Sequence, residues 1–108
     1  MRTVEEFTEI VREENQKHNE KLLNMSPVML INRAWEIAKW QAIYDYIMEV
    51  VVPCIDEEEL TNFLTLEIDE PISIIYNFEL EYDEPMWMTW DNLNDVVREM
   101  FKAIKNHN

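Results

Sequence analysis

No glycine occurs anywhere in the 108 residues. Glycine reaches left-handed backbone conformations without steric cost and lets main chain approach a ligand closely. Its absence excludes a phosphate loop and a dinucleotide fingerprint, which both need it. The usual EF-hand loop, with its glycine-dependent sharp turn, is excluded as well. Two-residue hairpins are disfavoured for the same reason. Such a chain points to helices. Apolar residues make up 47% of it, ample for a core, so charge alone does not keep it disordered. The length predicts a single acidic helical domain over 1–108.

Local signals predict about five helices in a compact all-α bundle. Thr3 with Glu6 forms a capping box at the first start. Val4, Phe7, Ile10 and Val11 then make an apolar stripe. Residues 12 to 21 are polar all round and predict a solvated helix half or a projecting arm. Ser26 and Pro27 cap and open a second helix, predicted to run to about Met48. This central element has two apolar sides. One is Val28, Ile31, Ala34, Trp35, Ala38 and Ala42; the other is Ile37, Trp40, Tyr44 and Ile47. Both Trp35 and Trp40 are assigned to the core. The alanines on the first stripe suit a closely packed helix.

The β-like run Val50 to Ile55 contains Pro53 and has no partner strand, so it predicts a buried connector. Asp56 is read as the cap of a third helix, with Leu60, Phe63 and Leu64 inward. Leu66-Glu67-Ile68-Asp69-Glu70-Pro71-Ile72 is then echoed by Leu80-Glu81-Tyr82-Asp83-Glu84-Pro85-Met86. Asp-Glu-Pro favours a helix start through its carboxylates and its proline. Two more helices follow, over about 71–80 and 86–105. The second carries the stripe Trp90, Leu93, Val97, Met100, Phe101 and Ile104.

Charge is the other unusual feature. Between Lys39 and Arg98 there is no basic residue, and that window holds fifteen of the 23 acids. The net charge is −14. A chain that grips DNA or RNA needs a basic footprint, so direct nucleic-acid binding is excluded, and an anionic membrane surface repels this chain too. No run approaches the roughly 20 apolar residues of a membrane span. The N-terminus does not read as a signal peptide. Cys54 is the only cysteine, which excludes an internal disulfide and places the chain in a reducing cytoplasm. Within an apolar run it reads as a small core residue.

No constellation carries chemistry. The histidines are His18 and His107. Glu14 and His18 share a helix face four residues apart, but two ligands do not make a metal site, and no di-iron spacing occurs. Paired carboxylates act in catalysis when a cleft gives them different environments, whereas these clumps sit at hydrated helix starts. No catalytic, cofactor or metal residue is assigned, and the chain reads as a non-enzyme. The cluster Met86-Trp87-Met88-Thr89-Trp90 is denser than one helix face can bury. Exposed methionine and tryptophan rimmed with acid suit a protein-binding surface; a short loop tucking Trp87 into the core is the competing account.

Several stretches resemble a family of short, uncharacterised acidic proteins from gut Firmicutes and their mobile elements. They are Lys21-Leu22-Leu23, the Ser26-Pro27 helix start, Arg33-Ala34-Trp35-Glu36-Ile37, Leu60 with Phe63-Leu64, and Pro71-Ile72 through Ile75-Tyr76. Together they span about residues 20 to 80. The resemblance implies an all-helical domain of mobile-element origin, similar to anti-CRISPR and anti-restriction inhibitors in size and charge.

The expected function is therefore inhibition of a basic nucleic-acid-handling protein, a nuclease or CRISPR effector, by charge imitation. The expected partner-binding residues are Asp56, Glu57, Glu58, Glu59, Glu67, Asp69, Glu70, Glu79, Glu81, Asp83 and Glu84. Trp87 and Met88 would add an apolar anchor. The alternative is an acidic interaction module without inhibitory role, pairing through Trp40 and Tyr44 or through Val4, Phe7 and Val11.

Overall fold

The computed structural model describes residues 1–57, 59–79 and 90–106; the side chains of Glu79, Trp90 and Asp91 are also outside the description. The described residues form an all-α bundle without a strand. Its helices are α1 (Val4–Leu23), α2 (Pro27–Asn32), α3 (Ala34–Tyr46), α4 (Asn62–Thr65), α5 (Pro71–Glu79) and α6 (Trp90–Asn106). None is long and apolar enough to cross a membrane, among the described residues.

The expected starts of α1 and α2 form as their sequences dictate. Thr3 accepts from the Glu6 amide, and the Glu6 carboxylate reaches back to the Thr3 amide. Ser26 Oγ accepts from the Met29 amide, with Pro27 in the first turn. Phe7 and Val11 of α1 are fully buried.

The element expected over 27–48 is interrupted at Arg33, whose backbone leaves helical geometry at φ −107° and ψ 12°. Beyond Tyr46 the helix widens. Ile47–Val51 is a π-helical turn, and the Val52 amide bonds the Ile47 carbonyl. Pro53 explains why the α-ladder stops here: it has no amide to offer the Glu49 carbonyl. Of the run expected as a buried connector, Val50 and Val51 belong to this turn, and 52–55 connect onward with Ile55 buried and Pro53 exposed.

The two sides of this element have unequal fates. Ile43, Tyr46 and Ile47 are fully buried, and Trp40 and Tyr44 pack against the core. The alanine-bearing stripe faces solvent instead, and Trp35 is 65% exposed. That overturns its assignment to the core. Packing makes the choice: α5 and α6 contact α3, and they meet the Ile43–Tyr46 side. Lys39 is buried on that same side with its ammonium 4.3 Å from the Tyr76 ring centre, a cation–π geometry.

The third helix is shorter than expected. Asp56 caps nothing there; α4 begins at Asn62, after turns in which the Thr61 hydroxyl donates to the Ile55 and Glu57 carbonyls. Phe63 and Leu64 still point inward as expected. Phe63 joins the two ends of the chain, with its ring centre 5.4 Å from Phe7 and 4.8 Å from Phe101. Ile72 and Ile75 of α5 and Leu93, Val96, Val97, Met100 and Phe101 of α6 complete the core. The Tyr46 hydroxyl donates to the Asn94 side chain, tying α3 to α6. Burial pushes the Tyr46 phenol well above its ordinary pKa, against a smaller opposing pull from Arg98.

Candidate functional site

Six described acids of the window flank α4, while Asp45, Glu49 and Asp95 lie in α3, in the turn after it and in α6. Asp56, Glu57 and Glu59 precede it, and Glu67, Asp69 and Glu70 follow it; all six are exposed. A four-residue helix adds only about 6 Å of rise, so α4 separates the groups by little. Phe63 and Leu64 hold α4 in the core, and the acids on either side stay in water. The result is an acidic ridge on a buried anchor.

The ridge is not free of cations, although the window itself contains none. Arg2 donates to the Asp69 carboxylate at 2.6 Å and to the Ile68 carbonyl. Its amide bonds the Leu64 carbonyl at 3.2 Å. The terminal ammonium of Met1 lies 3.4 Å from Glu67, and Arg98 lies 3.1 Å from Glu59. Cations distant in sequence thus offset three of the six acids. Asp56, Glu57 and Glu70 make no ion pair among the described residues.

Glu67 also shows what a chain without glycine must do. It sits just past the end of α4 with φ +49°, the left-handed position that glycine usually takes after a helix. Glu58, Glu81, Asp83, Glu84, Trp87 and Met88 lie outside the described residues, as does the side chain of Glu79.

Next to the ridge, α1 meets the start of α5. Glu14 accepts from the Ile72 amide at 2.7 Å and the Ser73 amide at 2.9 Å. This carboxylate caps α5 from another helix, the role expected of Asp69 and Glu70. Desolvation raises the Glu14 pKa; hydrogen bonds from Ser73 and Ile72 oppose the rise, and nearby Glu70 adds to it. One turn along, His18 stacks on Trp40 with ring centres 4.1 Å apart, and the Trp40 indole donates to Asn15 at 3.0 Å. Burial, aided by Lys21, lowers the His18 pKa. Residues 12 to 21 are therefore no projecting arm, for Glu14, Asn15 and His18 hold α1 against α3 and α5.

This corner and the ridge border a shallow groove lined by Glu13, Glu14, Lys17, Trp40, Asp69 and Glu70 among others. Both Glu14 oxygens are occupied by amides, so in this groove the carboxylate serves as a cap. Among the described residues no three His, Cys, Asp or Glu side chains gather in a metal-binding geometry.

The most exposed apolar surface lies elsewhere. Val28 is 66% exposed, Ile31 74% and Leu23 86%, and Trp35 is exposed as well. Sequence periodicity detects this stripe but not its orientation. The faces expected to pair with other molecules are used internally: Phe7 and Val11 are buried, and Val4, Trp40 and Tyr44 pack on the core. Comparison of the chain with family models, curated proteins and solved structures finds no match.

Proposed function

We propose that this protein binds a basic, nucleic-acid-handling protein, a nuclease or CRISPR effector of the cytoplasm, and blocks its groove by charge imitation. The observation that carries this reading is the exposure of the six acids on either side of α4, a helix whose Phe63 is locked in the core. Fixed carboxylates cost little ordering on binding, and a dense anionic patch steers a basic partner into contact. Surface ion pairs such as Arg98–Glu59 are weak, so a target arginine can compete for the same carboxylate. Trp87 and Met88 remain the proposed apolar anchor.

Capture from a bacterial extract tests the reading. The immobilised protein should retain a nucleic-acid-binding protein and release it as salt rises, because screening weakens such contacts. Replacing Asp56, Glu57 and Glu70 by lysine should reduce affinity at least ten-fold. Replacing Glu20 and Glu49, exposed acids away from α4 in sequence, should have little effect. Retention that ignores both salt and the ridge substitutions would end the proposal. The acids would then serve solubility, and the interaction-module reading would stand.

A further inference from the structure

The second group of ridge acids follows α4 in a turn whose backbone is strained at Glu67, with φ +49°. Glu67, Asp69 and Glu70 are all exposed there, so burial does not fix their side chains. A cation from outside the acidic window reaches this turn at both ends. The Arg2 amide bonds the Leu64 carbonyl at 3.2 Å. The Arg2 guanidinium donates to the Ile68 carbonyl and, at 2.6 Å, to the Asp69 carboxylate. Its side chain is only 15% exposed, against 87% for Asp69. Leu64 is buried and Ile68 packs against the core. Apart from the Met1 ammonium on Glu67, Arg2 makes the side-chain hydrogen bonds and ion pairs that tie residues 66–69 to the rest of the described fold.

The bridge suits arginine in particular. A planar guanidinium donates in two directions at once, to a carbonyl and to a carboxylate, whereas a lysine ammonium is a point charge on a flexible stem. We infer that Arg2 is a positioning residue for the ridge: by bridging the Ile68 carbonyl and the Asp69 carboxylate it holds the 64–69 turn, and so presents Glu67, Asp69 and Glu70 to a basic partner as one preformed set. The inference rests on the proposed role of the ridge. Acids already held in place need no ordering when the partner arrives, and that favours binding. Charge counting alone gives the opposite expectation, in which Arg2 weakens the anionic patch by offsetting Asp69.

Arg2→Lys in the full chain tests the inference, because it keeps the charge and loses the planar fork. Backbone amide relaxation reads the turn, and fluorescence anisotropy of a labelled oligoarginine peptide at constant low salt reads the ridge. Arg2→Lys should lower the heteronuclear NOE across residues 66–70, the sign of fast local motion, and leave α5 and α6 as in the parent. It should weaken peptide binding about five-fold, with the helical circular dichroism unchanged. Arg12→Lys, at an exposed position of α1, should leave binding as it is. Arg2→Ala should also weaken binding, although it makes the chain more negative. An unchanged NOE in both Arg2 variants would overturn the inference. So would a mobile turn with peptide binding equal to or tighter than that of the parent, since Arg2 would then be a structural tie alone. The two possible failures differ. Binding indifferent to the Asp56, Glu57 and Glu70 lysine substitutions defeats the reading of the ridge itself; binding that responds to them but not to Arg2→Lys overturns the role of Arg2 alone.

Discussion

The amides at the start of α5 are capped by Glu14, a carboxylate 58 residues from Ile72. Truncation to alanine leaves the Ile72 and Ser73 amides without that acceptor. Glu14→Ala should therefore cost about 1–2 kcal/mol in urea unfolding, the range of a lost helix cap. His18 provides a pH test. Its folded pKa lies below the ordinary value, so near pH 6 the unfolded chain binds more protons than the folded one. His18's contribution to stability is thus complete above about pH 6.5 and is lost as pH falls through the folded value. His18→Phe keeps a ring on Trp40 without the proton. Its unfolding free energy should fall less than that of the parent between about pH 7 and about pH 5; an equal fall would contradict the assigned cause. Glu67 carries backbone strain at φ +49°. Glu67→Gly should raise stability by about 0.5–1 kcal/mol, and Glu67→Ala should not, because alanine keeps the Cβ that opposes this conformation.

At the scale of elements, capping was legible at the starts of α1 and α2, and the facing of the central element was not. Thr3–Glu6 and Ser26–Pro27 act within one turn, so their residues alone fix the starts of α1 and α2. The Leu93, Val97, Met100, Phe101 stripe has one apolar face, and that face is buried. The central element has two, and periodicity cannot rank them. Contacts with α5 and α6 turn Ile43 and Tyr46 inward and leave Trp35 outside. Trp35→Ala should therefore change monomer stability by no more than about 0.5 kcal/mol, whereas Ile43→Ala should cost about 2–5 kcal/mol. Both are read from urea unfolding. The Arg2–Asp69 and Glu14–Ile72 contacts join segments far apart in sequence and have no local signature. The acids of the ridge were legible as a cluster, but their cations were not.

Across the whole molecule, charge and apolar surface are separated along the chain. Acid is concentrated around α4, and the nearly uncharged stretch 22–35 holds the exposed stripe. The reading rests above all on the ridge occupying the place of nucleic acid. The most direct measurement is competition: a labelled oligonucleotide is bound to the captured basic partner, and this protein is titrated in at constant salt. Charge imitation predicts complete displacement of the oligonucleotide, with the Asp56, Glu57 and Glu70 to lysine variant at least ten-fold less effective. A stable ternary complex, with oligonucleotide and protein bound together, would contradict it.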